Sequence, residues 1–166
     1  TFEGYDFPII RYAEVLLNYA EAMYELGTTG KALDDALNIS LNLVRLRVNP
    51  DMPKLTTSFA SENSLNMREE IRRERTIELY NEGFRVDDLK RWNTAIVEMP
   101  KPILGVKWTG TDFATSWAGA SNMAKDSDGC LILENSRRWG SKNDLYPLPV
   151  DQCQLNPNLG QNPGWQ

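Results

Sequence analysis

Glu78 and Glu82 stand four residues apart in the stretch IRRERTIELYNEGFRVDDLKRW, residues 71–92. On a helix that spacing puts their Cβ atoms about 6 Å apart, close to the about 5–5.5 Å between the carboxyl groups of a retaining glycosidase. Such a pair works only if one member keeps its proton. Arg72, Arg75 and Arg85 lie close enough in sequence to neutralise both carboxylates, which favours the anions and removes the general acid. The same residues fit an ion-pair network better. Arg75 and Glu78 stand at i,i+3, as do Glu82 and Arg85 across a tight turn at Gly83, and Asp87 reaches Lys90 or Arg91. A network of this kind fixes geometry more than it adds stability.

Other chemistry is excluded or weak. The chain has no histidine, so Ser-His-Asp and Cys-His nucleophiles, imidazole acid–base work and His-ligated zinc are absent. Cys130 and Cys153 do not form a CxxC motif, and either a disulfide or two thiols is compatible with their spacing. The DSDG at 126–129 starts like a calcium loop, but the twelfth position is Arg137 rather than Glu. Asn38-Ile39-Ser40 fits a glycosylation sequon but falls within a helical pattern. No glycine-rich phosphate loop occurs, and neither a metal nor a cofactor is expected. A net charge of −5 argues against nucleic acid as a partner.

The elements that would position these groups are mainly helical. The chain's 166 residues suit one domain. Asp6 and Pro8 suit a helix start, Ile10, Ala13, Leu17, Ala20 and Tyr24 recur at helical spacing, and Gly27 suits its end. A TTG turn leads to a second helix over about 31–47, with Leu33, Leu37, Leu41 and Val44 as its apolar set. Residues 6–47 thus form a tetratricopeptide-like pair, with small alanines at 13, 20 and 22 allowing close approach. Residues 49–64 are rich in Pro, Ser, Thr and Asn and are expected as loop. A third helix is expected from Ser64 or Asn66 to about Asn81, and a fourth from Arg85 to Ala95. On the third, Ile77 and Tyr80 lie away from the charged face, so contact on two sides is expected.

From 98 to 142 the composition shifts to Gly, Ser, Thr and Trp, an irregular insertion with a short strand expected at CLIL after the Asp128-Gly129 turn. Long irregular loops often carry function. Trp108 and Trp117 offer indole faces for stacking, and Asp112, Thr111 and Asn122 offer hydrogen bonds. The alternative is that either tryptophan pins the loop; Trp92, Trp139 and Trp165 are read as structural. The Pro- and Asn-rich C-terminus is an extended tail with a short helical turn at most.

Four segments in order, RYAEVLLNYAEAMYELG, ALN…LVRLR, IRRERTIELYNEGFRVDDLKRW and YPLPVDQCQLNPNLGQNPGW, resemble the C-terminal part of the SusD/RagB family. NPNLGQNPGW is similar to that family's NPxLxQNPGY ending, with Trp165 where Tyr is usual, and ERTIELYNEGFR…DLKRW is similar to its ERRxELAFEGxRxxDLxRW block. The resemblance covers the chain outside the insertion. It implies a SusD-like α/α superhelix without catalysis. It also implies a lipid-anchored outer-membrane surface protein of Bacteroidota that binds glycan, or peptide, and delivers it to a SusC-like TonB-dependent transporter. On this reading residues 1–166 are the C-terminal portion of a longer protein, whose lipid anchor and further scaffold lie upstream. In that case the segment is either part of the ligand site or scaffold for one.

Overall fold

The computed structural model describes residues 9–165; Asp6 and Pro8 lie outside them. It is mainly helical with one two-stranded sheet, and it divides between Arg85 and Val86 into two compact units.

The first unit holds α1 (Tyr12–Glu25), α2 (Gly30–Asn38), α3 (Leu41–Val48), α4 (Thr57–Glu62) and α5 (Met67–Glu78). α1 ends at Gly27, whose φ of +81° is open to glycine at little cost. There the Thr28 N–H reaches the Met23 carbonyl and the Gly27 N–H the Tyr24 carbonyl, the paired bonds that close a helix on a left-handed residue.

The second helix is two helices. Ser40, at φ −136° and ψ −100°, breaks it, and its buried hydroxyl donates to the Ala36 carbonyl at 2.6 Å. A serine that bonds back to the preceding turn competes with the helix ladder. Leu33 and Leu37 before the break and Leu41 and Val44 after it are all buried, so the apolar spacing runs through it. That continuity is why periodicity alone reads a single helix.

The expected loop contains α4. Thr56 caps it by accepting from the Phe59 N–H at 3.1 Å. The Asp34 carboxylate of α2 accepts from the Thr57 N–H at 2.7 Å and from the Thr57 hydroxyl at 3.0 Å. Leu55, fully buried just before it, meets Asn42 of α3. Asn42 accepts from the Leu55 N–H at 2.7 Å and donates to the Leu55 carbonyl at 2.9 Å. One side chain thus satisfies both backbone groups of a buried residue outside any regular element.

α5 starts on Asn66, which accepts from the Glu69 N–H, and Glu69 and Glu70 complement the helix dipole. Its Ile71, with Leu79 just beyond, joins Leu17, Ala20, Leu33, Leu37, Leu41, Val44, Leu55 and Ala60 in one core. Ile77 and Tyr80 are exposed, so the expected second contact side of this helix is open.

The division falls after the first residue of α6 (Arg85–Arg91), and the second unit continues with α7 (Ala95–Glu98). The expected helix through Ala95 is interrupted because Asn93, at φ +56°, takes the left-handed conformation, and the Thr94 N–H caps the Leu89 carbonyl. β1 (Ile103–Lys107) and β2 (Cys130–Glu134) form an irregular antiparallel pair. They place the expected CLIL strand and a strand partner for it at the two ends of the tryptophan-rich excursion, which carries α8 (Phe113–Ser116). Gly129 closes the hairpin. Its φ is +81°, its carbonyl accepts from the Trp108 and Thr109 N–H groups, and a Cβ there would lie 2.5 Å from Thr109 Cβ. α9 (Val150–Leu155) is the short helix of the tail. No helix among the described residues is long and apolar enough to cross a membrane.

Replacing Asn42 by Leu leaves the Leu55 N–H and carbonyl buried without partners, an expected loss of about 2–4 kcal/mol in unfolding free energy. Asn42→Asp keeps the bond from the Leu55 N–H and is expected to be the better tolerated of the two. Urea unfolding of the three proteins checks the order, and a leucine variant as stable as wild type would contradict it.

Candidate functional site

The charged stretch comes first. Glu78 is engaged by two arginines from outside its own helix. Its Oε1 accepts from Arg11 Nη1 and from Arg47 Nη2, both at 2.9 Å, and its Oε2 accepts from Arg47 Nη2 at 2.9 Å. Arg11, just before α1, also grips Glu82 in a two-point fork, Nη2 to Oε1 at 2.6 Å and Nε to Oε2 at 3.0 Å, and donates to the Glu78 backbone carbonyl at 2.8 Å. Those bonds raise the Arg11 pKa above its ordinary value, Glu82 contributing most. Both carboxylates spend their lone pairs on guanidinium groups.

The partners differ from those expected from sequence. Arg75 is buried, donates to Asn18 Oδ1 at 2.7 Å and lies over the Phe84 ring at 5.4 Å from its centroid. Arg85 donates to the Thr76 hydroxyl at 2.9 Å. Asp87 is exposed, and Asp88, one residue on, accepts from Arg91 Nε at 2.9 Å. Arg11 and Arg47, which local spacing did not single out, take the places given to Arg75 and Arg85. Beneath this surface layer Arg45 of α3 and Glu74 of α5 form a buried pair at 3.2 Å, with Arg45 Nε and Nη1 lacking a well-directed acceptor. Burial pushes the Glu74 carboxyl above its ordinary value, against the pull of Arg45 and Arg73.

The insertion has a different character. Trp117 follows α8 and is 61% exposed, and Phe113 one turn earlier is 43% exposed. Their ring centroids are 6.0 Å apart at 56°. Asp112, at the start of α8, is exposed and accepts the Thr115 and Ser116 hydroxyls at its backbone carbonyl, while Asn122 is also exposed. Trp108 is only 5% exposed and offers no open face. Its N–H is bonded at the hairpin mouth, and Lys125 lies 5.8 Å from its ring centroid while donating to the Ser121 and Met123 carbonyls. Thr111 donates to the Lys107 and Trp108 carbonyls. Trp108 therefore pins the excursion, and Trp117 and Phe113 are its open aromatic faces. Phe113 went unmarked in the sequence because one phenylalanine in a loop carries no pattern.

The tail is held by side chains bonding backbone. Gln161 accepts from the Leu148 N–H at 2.7 Å and donates to the Leu148 carbonyl at 2.9 Å. Asn162 donates to the Tyr146 carbonyl at 2.6 Å, and Trp165 Nε1 to the Lys142 and Leu145 carbonyls at 2.8 and 3.0 Å.

The sequence matches the model of the SusD family over residues 1–165. The chain belongs to the SusD family. Among solved structures it is similar to a SusD-like carbohydrate-binding protein from Bacteroides fragilis. The two share 31% identity and a TM-score of 0.69 over 92% of this chain and 28% of that one. A second SusD-like protein from the same organism shares 30% identity and a TM-score of 0.64, over 94% of this chain and 25% of that one. No curated protein matches. The chain thus spans about a quarter of the length of the SusD-like structures it resembles. SusD-family members are binding proteins rather than enzymes, which accords with carboxylates already engaged by arginine. In this SusD-family chain the QNPGW ending has a visible task, because Gln161, Asn162 and Trp165 each bond the backbone between Lys142 and Leu148.

The Glu74 shift predicts a pH dependence. A raised carboxyl means that the folded state holds this proton more tightly than the unfolded chain does. The associated stability is complete below the ordinary value of 4.5 and is lost as pH rises through the raised value. The difference in unfolding free energy between wild type and Glu74→Gln is therefore expected to shrink with rising pH across that window, read by urea unfolding from about pH 4 to pH 8. A difference that grows with pH would show that attraction to Arg45 and Arg73 outweighs burial.

Proposed function

We propose that this chain is the C-terminal portion of a non-catalytic, lipid-anchored surface protein of the outer membrane. It binds glycan and passes it to a SusC-like TonB-dependent transporter. Membership of the SusD family over residues 1–165 supports the reading, as does similarity to a protein described as SusD-like and carbohydrate-binding. The observation that carries a role for this segment is the exposed Trp117 beside Phe113. A pyranose ring presents C–H groups on one face, and an indole open to solvent is the side chain best suited to receive them. Exposed polar groups at Asp112 and Asn122 on the same excursion are suited to sugar hydroxyls. Trp108 serves by anchoring the excursion.

The test is affinity electrophoresis of the full chain through gels containing a panel of neutral polysaccharides, beside Trp117→Ala. Retardation by at least one polysaccharide is expected, with about tenfold weaker binding in the variant, equivalent to about 1.4 kcal/mol. Absence of retardation from a chain with native circular dichroism would refute a glycan site in this segment. Binding of oligopeptides in its place would move the assignment to peptide capture.

A further inference from the structure

In the first unit arginines meet carboxylates: Arg11, Arg45, Arg47, Arg68 and Arg73 each lie within 3.2 Å of one. The second unit holds cations of another kind. Lys90 of α6 sits 4.0 Å above the Tyr146 ring centroid and 5.7 Å from that of Trp139. Lys142 sits 4.7 Å over the Trp165 ring. Among the described residues Arg138 donates only to the backbone carbonyls of Asn135 and Arg137. Among the described residues none of these three cations has a carboxylate partner. The nearby Asp144 carboxylate accepts from the Trp139 indole at 3.0 Å. Tyr146 is 72% exposed, so most of its surface stays open while the ammonium rests on its face.

An ammonium held on aromatic rings is partly stripped of water and fixed in place, yet among the described residues its three N–H donors meet no acceptor. Arg138 and Lys142 flank Trp139 in a short segment that a 3₁₀ turn, Ser141–Asp144, makes compact. Open aromatic surface beside uncompensated positive charge suits a flat-faced ring that carries an anion. A chain with a net charge of −5 repels long polyphosphates, so a local patch of this size fits a small charged ring better than nucleic acid.

We infer that Lys90, Arg138 and Lys142, with the faces of Tyr146 and Trp139, form a binding site for sugars bearing a carboxylate, that is, uronic acid residues. The sugar face stacks on the tyrosine and its carboxylate accepts from the Lys90 ammonium. The site rests on the saccharide-binding reading above but uses residues separate from Trp117.

The experiment is isothermal titration of the full chain with oligogalacturonate and with a neutral galactose oligomer of the same length. Lys90→Met removes the charge while keeping an unbranched side chain, and Lys142→Gln serves as a second variant in case the first fails to fold. Expected are binding of the uronate that weakens with added salt, little binding of the neutral oligomer at this site, and about tenfold weaker uronate binding in each variant. With the Trp117→Ala chain, equal affinity for both oligomers would overturn the proposal, as would undiminished uronate binding in both folded lysine variants or equal binding of dextran sulfate. Loss of neutral-glycan retardation in Trp117→Ala with uronate binding intact separates failure of this site from failure of the other.

Discussion

The side chain of Glu78 is 10% exposed, and Arg11 and Arg47 converge on its two oxygens from ahead of α1 and from the last turn of α3. Three helices are therefore registered against one carboxylate at the end of α5. A misplaced helix would leave a largely buried charge facing no partner, and the cost of that error is larger than the net gain from the pairs themselves. The Arg11 fork extends the same constraint to Glu82, past the last turn of the helix. Under it, the apolar residues of α1, α2, α3 and α5 close into a core that supplies the bulk of the stability. The ionic layer selects one arrangement of that core, and the buried Arg45–Glu74 pair does so from within.

Beyond Arg85 the means of support change. Short elements cannot bury much apolar surface, and the second unit relies on side chains that complete backbone bonding where no helix or sheet does. Gln161 opposite Leu148 and Trp165 opposite Lys142 and Leu145 act like partial strand partners for an extended tail. Asp126 does the same in the hairpin, accepting from the Asp128 and Cys130 N–H groups. This leaves aromatic rings and cations at the surface instead of in a core. A scaffold whose first unit neutralises its charges internally and whose second unit leaves rings and ammonium groups open has a division suited to binding. The recognition chemistry proposed for this chain lies on loops and the tail, where variation costs little packing.

The helical character of residues 12–48 and 66–78 was legible in the sequence because apolar spacing and caps are local properties: Leu17 and Ala20, Gly27, Asn66 with Glu69. So was the strand at Cys130–Glu134 after its Asp-Gly turn. Local signals failed where a side chain overrode its own pattern. Ser40 broke a helix whose leucines ran on unbroken, and Asn93 ended another early. α4 has no periodic signal because its six residues, TSFASE, are too few to repeat a helical spacing; Asp34 and Asn42, both distant in sequence, hold it and its approach in place.

The sequence by itself determined the helical class, the absence of histidine chemistry, the motifs of the SusD family and the concentration of charge at residues 71–92. Each depends on composition or on spacing within a turn or two of chain. Only the tertiary structure decided which charges meet. Arg11 reaches Glu82 across 71 positions and Arg47 reaches Glu78 across 31, and no spacing rule links residues that far apart. It also decided that Trp108 is buried and Trp117 open, although both are tryptophans in one loop. Exposure is set by what the rest of the chain packs against, and that follows from the closed fold rather than from neighbours in the sequence.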